Sequence, residues 1–333
     1  MRILVTGGLG FIGSNLVFHL LTKYPDAKVS NIDNLSIGAN PLNLRDLRHN
    51  DRYCFVKGDI SNIKHVVELV REQDAIINCA AETHVDRSIA NPFPFMKSNT
   101  LGTLTLLDAV RKNNLKLRLV HVSTDEVYGD VPRGSFSEDS PLKPSSPYAA
   151  SKAAADMLAL AYHRTYALDV LITRCTNNYG PFQHPEKLIP KTIIRAHRNL
   201  PVPIYGEGKQ IRDWIYVQDH CEALTQVLKS GRPGEVYNIS AGKEIQNIEV
   251  AEKILELMDK PKELLQLVED RPGHDFRYSL DSSKIRSELG WRPTHTFESA
   301  LEKTVDWYLN NERIWKPKAP SKMLHPTPWK LKW

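Results

Sequence analysis

Near the start of the chain, MRILVTGGLGFIG sets Gly7, Gly10 and Gly13 directly behind a short apolar run and ahead of a helical pattern. Glycine takes backbone conformations closed to other residues and lets a second backbone or a ligand come close. A strand that passes into a helix through such a loop leaves helix amides, with their partial positive charge, facing the turn, where a pyrophosphate can sit. The loop therefore predicts a parallel α/β sheet whose first strand–helix turn holds a dinucleotide.

The rest of the first half agrees with that frame. Short apolar runs at 2–6, 28–32, 53–57, 75–79, 117–122 and 170–174 alternate with helical patterns at 12–22, 63–72 and 99–113. Alternation of this kind requires parallel strands with right-handed crossovers. The expected fold is α/β, a Rossmann-type doubly wound parallel sheet with a smaller C-terminal α/β substrate domain. From about Asn177 the texture changes, with Pro181, Pro185, Pro190, Pro201 and Pro203 in quick succession. Residues 1–176 are read as the cofactor domain and 177–315 mainly as the substrate domain, some elements of which rejoin the first sheet. EVYNIS at 235–240 reads as a return strand and 248–258 as a helix. The Pro/Lys-rich stretch 316–333 reads as a basic tail with tryptophans.

Composition removes other classes. The chain has 333 residues, 41% hydrophobic and 25% charged, so it can bury a large core. A net charge of +5, spread rather than clustered, does not predict nucleic-acid binding and suits an anionic substrate. No apolar run approaches a membrane span, and the N-terminus lacks a signal-peptide pattern, so a cytoplasmic protein is expected. Cys54, Cys79, Cys175 and Cys221 show no metal-ligand or redox spacing, and no metal is expected.

Asp33 closes the second strand about 20 residues past the glycines, where a carboxylate accepts from both ribose hydroxyls and repels a 2′-phosphate. NAD is therefore expected over NADP. Asp59 ends the third strand and is read either as an adenine contact or as a helix N-cap. In SSPYAASKAAAD, Ser145 or Ser146 caps a helix with Pro147 in its first turn, and Tyr148 and Lys152 share one face at i and i+4. An ammonium one turn away favours the phenolate, so Tyr148 can take a proton from a sugar hydroxyl, with Ser123 or Thr124 completing the contact. HVSTDEVYGD sets two acids, Asp125 and Glu126, at the end of the fifth strand. They read either as a solvated strand end or as an acid and base in a cleft. In the second case repulsion between neighbours raises one pKa and splits their roles.

GGLGFIG, the Ser123–Thr124 pair and Tyr148-x-x-x-Lys152 together resemble the extended short-chain dehydrogenase/reductases that act on nucleotide sugars, and within them the dehydratases. The likeness continues through NIDNLS, NCAAETHVDRSI, STDEVYGD, RCTNNYGPFQHPEKLIPK, PIYGEGKQIRDWIYVQDHCEAL, YNIS and DRPGHDFRYSLDSSKI, to about residue 315. The resemblance implies an NAD-dependent lyase that dehydrates dTDP-glucose to the 4-keto-6-deoxy sugar nucleotide, for deoxysugar biosynthesis, as a homodimer. It implies catalytic roles for Thr124, Asp125 (acid), Glu126 (base), Tyr148 and Lys152. NAD would be held by Gly7, Gly10, Phe11, Ile12, Gly13, Asp33, Asn34, Leu35, Ser36, Asp59, Ile60, Ala80, Ala81, Thr83, Ser98, Tyr148, Lys152 and Asn178. Substrate would be held by Thr83, Thr124, Asn177, Glu186, Lys187, Leu188, Pro190, Pro203, Tyr205, Arg212, Asn247, Arg271 and His274. The Asp–Glu pair separates this reading from its first rival, a UDP-hexose 4-epimerase. A dehydratase of another nucleotide hexose and a non-enzymatic NAD-binding sensor also stay open.

Overall fold

The computed structural model describes residues 1–113 and 116–333. Six strands come from the first half: β1 (Arg2–Thr6), β2 (Lys28–Asp33), β3 (Tyr53–Lys57), β4 (Ala75–Asn78), β5 (Arg118–Thr124) and β6 (Val170–Cys175). With Val236–Ile239 they form one seven-stranded sheet in the order Val236–Ile239, β6, β5, β4, β1, β2, β3. Every pairing in it is parallel. Helices cover both faces, which is why β4, β5 and β6 are near-continuous apolar runs and are buried along almost their whole length. The strand read at 235–240 thus joins the first sheet, at its β6 edge.

Two local features position the site. Helix Pro147–Tyr166 starts where Ser146 Oγ accepts from the Ala149 amide at 3.1 Å, with Pro147 in the first turn, and stops at Ala167, whose φ is +53°. The helix expected at 99–113 is preceded by a π-helical turn, Met96–Leu101, and its regular part is Gly102–Asn113. The wide turn lets Asn99 bond in three directions: its Oδ1 accepts from the Glu82 amide at 2.8 Å, and its Nδ2 donates to Glu82 O at 3.0 Å and Ser151 Oγ at 2.8 Å. Those bonds fasten the loop after β4 to helix Pro147–Tyr166.

One residue beyond β6, a smaller layer begins. Asn177–Tyr179 pairs in parallel with Ile211–Tyr216, which pairs antiparallel with Glu244–Gln246. Val202–Tyr205 pairs in parallel with Leu265–Val268. A separate apolar cluster supports this layer, built on Ile193, Trp214, Ile254, Phe297 and Tyr308. Trp315, Ala319 and Leu324, at the start of the tail, belong to it, and Trp329 is buried against Tyr205.

Beneath the site, Arg174 of β6 is buried and donates from Nε to Asp156 Oδ2 of helix Pro147–Tyr166 at 2.8 Å, and from Nη1 to the Tyr128 hydroxyl at 2.7 Å. Removing one member of a buried pair strands the other's charge. Asp156→Ala is expected to lower stability by about 3–5 kcal/mol, read as a fall in the urea midpoint at unchanged slope. A midpoint within experimental error of the parent would mean that water reaches Arg174.

Candidate active site

Strand order reverses between β1 and β4, and a cavity of about 230 Å³ opens there at the carboxyl ends of the strands. Its wall takes Gly7 after β1, Asp33 at the end of β2, Gly58 after β3, Ala80 and Ala81 after β4, Thr124 of β5 and Cys175 of β6. A second cavity of about 150 Å³ adjoins it, and the two share Glu126, Asn177, Glu186 and Lys187.

The first cavity suits a dinucleotide. Gly7 has φ +68°, and a Cβ on it would stand 2.7 Å from Ala80 Cα. A Cβ on Gly10 would meet only Gly7 O, at 3.2 Å, and otherwise fill open cleft. Gly10 is the N-cap of helix Phe11–Lys23 and offers no side-chain cap, so the first-turn amides are free for an anion. The Asp33 carboxylate accepts from the Leu9 amide at 3.0 Å and the Leu35 amide at 2.8 Å, holding the loop while facing the cavity. At the other end Thr176 Oγ1 and Asn178 Oδ1 are buried on the wall without a protein partner. These residues fit NAD, which when bound supplies a hydride acceptor and donor beside Tyr148.

The structure brings nearly all the expected cofactor residues to this wall. Leu35 and Asp59 are the exceptions. Leu35 has φ +62° and points its side chain outward, contributing only its amide to Asp33. The Asp59 carboxylate is engaged by Ser61 N at 2.9 Å, Ser61 Oγ at 2.8 Å and Lys97 Nζ at 3.3 Å, while its neighbours Gly58 and Ile60 face the cavity. The cap of helix Ile63–Arg71 is Asn62, not Asp59.

Asp125, Glu126, Tyr148 and Lys152 meet in the first cavity, so the acids are not a solvated strand end. Burial pushes the Asp125 carboxyl well above its ordinary range, and the Glu126 charge adds to that. Thr124 Oγ1 donates to Asp125 Oδ1 at 3.1 Å, and Oδ2 is buried without a partner. Burial also raises Glu126, but Arg271, Lys187 and Arg212 oppose it. Both carboxyls are thus raised, Asp125 further than Glu126, whose rise the three cations limit, and the two titrate as a pair.

Tyr148 departs from the simple i, i+4 argument. Its phenol stands well above its ordinary value, first through burial and then through Glu126 and Cys175, with the Thr124 hydroxyl opposing. Lys152 donates its ammonium to Val122 O at 2.7 Å, and burial lowers its pKa. It is anchored to β5 as well as sharing a helix face with the tyrosine.

Leu188, Pro203, Tyr205, Arg212, Asn247, Arg271 and His274 line the second cavity, as expected of substrate residues. Pro190 lines neither. The Glu186 carboxylate is not free: Arg87 grips it through Nε and Nη2, both at 3.1 Å. Arg212 is buried, with Nη1 on Ile211 O and Phe276 O at 2.8 and 3.1 Å and Nη2 on Asp275 O at 2.8 Å. Those acceptors are neutral, so its charge stays available to a diphosphate. Burial, then Arg271 and Arg212, lowers His274 to about 4, so it is neutral at neutral pH.

Asp86, Lys191 and Tyr278 are among the wall residues that sequence reasoning missed. Asp86 accepts from the Tyr205 hydroxyl at 2.9 Å and from Arg271 Nη1 at 3.2 Å. Lys191 was detectable, since it repeats Lys187 one helical turn later inside the apolar pattern LIPKTII.

The model of the family described as GDP-mannose 4,6 dehydratase matches residues 4–304. The dTDP-glucose 4,6-dehydratase of Streptomyces niveus is 50% identical over 325 residues, 96% of this chain and 96% of that protein. That of Escherichia coli is 44% identical, covering 95% and 96%. Among solved structures, DesIV, the dTDP-glucose 4,6-dehydratase of Streptomyces venezuelae with NAD bound, superposes with TM-score 0.94 at 48% identity, covering 96% of this chain and all of that one. The UDP-glucose 4-epimerase of Thermus thermophilus, also with NAD, gives 0.86 at 33% identity, covering 93% and 100%. The chain belongs to the family of nucleotide-sugar 4,6-dehydratases, and within it stands with the dTDP-glucose 4,6-dehydratases.

The raised Asp125 value has a stability consequence. A carboxyl whose pKa is higher folded than unfolded adds stability below its ordinary range, and that contribution is lost as pH rises through the folded value. Asp125→Asn removes the loss. Its melting temperature, measured from mildly acid to mildly alkaline pH, is expected to gain steadily on the parent as pH rises. Parallel profiles would mean that Asp125 titrates as a solvated carboxyl.

Proposed function

We propose that this chain dehydrates dTDP-glucose to its 4-keto-6-deoxy product, using NAD that stays bound and is regenerated in each cycle. The observation that carries the reading is the pair Asp125 and Glu126, set beside Tyr148 in one cavity, with both carboxyls raised and Asp125 raised further. An epimerase has no step for such a pair.

Each residue's task follows from the chemistry. Tyr148, with Thr124 beside it, takes the proton of the sugar's C4 hydroxyl, and Lys152 holds the local charge and geometry. With C4 at the ketone level the C5 hydrogen is acidic, and ionised Glu126 removes it. Protonated Asp125 delivers a proton to the departing C6 hydroxyl, and water leaves. Hydride return to C6 and reprotonation at C5 complete the product. Arg212 and Arg271 receive the diphosphate, and Tyr205, Pro203 and Leu188 enclose the nucleoside. Residues 1–176 form the cofactor half and 177–315 mainly the substrate half, with Val236–Ile239 returned to the first sheet.

The same reading makes the protein a cytoplasmic homodimer. Its four cysteines are free thiols. Met96 and Leu101 of the π-helical turn and Met157 of helix Pro147–Tyr166 are each nearly half exposed, and these two elements are in contact. A second copy laid on that face would cover them.

Purified protein incubated with dTDP-glucose and no added cofactor is expected to yield a product lighter by one water. Asp125→Asn and Tyr148→Phe should each slow that loss by at least about 100-fold. Unchanged substrate mass with the parent protein, even with NAD supplied, would overturn the assignment. For the dimer, Leu101→Glu with Met157→Glu is expected to sediment as monomer; a dimer retained in that double variant would place the interface elsewhere.

A further inference from the structure

The tail is fixed at several points. Helix Leu188–His197 and its C-cap present Lys191, Arg195 and Arg198 to tail carbonyls. Lys191 Nζ donates to His325 O at 3.3 Å, Arg195 Nη1 to Leu324 O at 2.7 Å and Arg198 Nη1 to Ala319 O at 3.4 Å. The chain then turns through Pro328–Lys330, which packs on helix Val85–Ala90, and Lys330 pairs with Glu269.

At that turn Trp329, 8% exposed, meets Tyr205 edge to face, with ring centroids 4.9 Å apart and planes at 83°. Tyr205 is a wall of the second cavity. Its other restraints are the hydroxyl bond to Asp86 at 2.9 Å and an edge contact with His274 at 6.2 Å, and both partners line the same cavity. Trp329 lines neither cavity and backs the tyrosine from outside. Lys191 gives a second link, since one residue both lines the cavity and bonds a tail carbonyl.

We propose that the segment 316–333 is a positioning element for nucleobase recognition, with Trp329 fixing the Tyr205 ring against the pyrimidine of the substrate nucleotide. This rests on the dTDP-glucose reading above. The tail is set apart from the proton transfers: Asp125 and Tyr148 lie in the other cavity, and Trp329 lines neither cavity, including the one that Glu126 shares. Ligand binding and tail order are therefore coupled in both directions.

The test separates binding from turnover. Trp329→Ala is expected to raise KM for dTDP-glucose on the order of tenfold, the scale of one aromatic contact, with kcat within about twofold and bound NAD unchanged. Trp329→Phe should recover most of the KM, and Arg71→Ala, which removes a surface pair with Glu68 far from the tail, should change neither constant. An unchanged KM in Trp329→Ala, or kcat and bound NAD falling together with affinity, would overturn the proposal. Should Trp329→Ala not fold, hydrogen exchange on the parent holoenzyme decides. Added dTDP should slow exchange of amides in 321–331, and exchange indifferent to dTDP would overturn the coupling. A parent enzyme that neither binds dTDP nor converts dTDP-glucose would sink the functional reading itself, and this inference with it.

Discussion

A parallel sheet must close each strand with a loop on one edge, and all those loops gather at the carboxyl ends. In this chain the order reverses between β1 and β4, so the loops part there and leave a crevice that no side chain of the core can fill. The first glycine loop, the carboxylate ending β2, the acids ending β5 and the amides beyond β6 reach the same space for that single geometric reason. The second layer, which begins right after β6, roofs the crevice and extends it into the second cavity.

Charge then decides what the crevice can do. Five ionisable side chains, Asp125, Glu126, Lys187, Arg212 and Arg271, are drawn into a space poor in water. Neighbours in sequence repel, and cations from three distant segments favour one acid over the other. Other buried charges, at the cavity wall as well as beneath it, are neutralised by close pairing. Arg87 holds Glu186 with two bonds, and Arg174 holds Asp156. Among the described residues no such ion pair holds Asp125 or Glu126, and that is where chemistry needs a group that can still change its protonation state.

Much of this was legible in the sequence, for physical reasons that vary by residue. Gly7 and Gly13 could be read because a strand–loop–helix turn constrains them locally. Tyr148 and Lys152 share a face by helical spacing alone, but the direction of the phenol's shift depends on Glu126 and Cys175, which no spacing reveals. Asp59 and Leu35 looked like cofactor residues by position, yet local turn bonds turn one carboxylate toward Ser61 and one side chain toward solvent. Glu186 carried a charge that Arg87, distant in sequence, absorbs. The tail's tryptophans were visible as apolar weight, but their destination rests on carbonyl bonds from Lys191, Arg195 and Arg198, and backbone acceptors leave no trace in composition.

The return of Val236–Ile239 to the edge of β6 bears on how the chain comes into being. During synthesis β1 to β6 emerge before that strand does, and β6 waits with one row of backbone groups unpaired. An uncovered edge of this kind is a template for the wrong partner, another nascent copy included. The whole second layer up to residue 235 must leave the ribosome before the edge is closed. The first sheet is thus completed only after residues 177–235 of the later segment have been made.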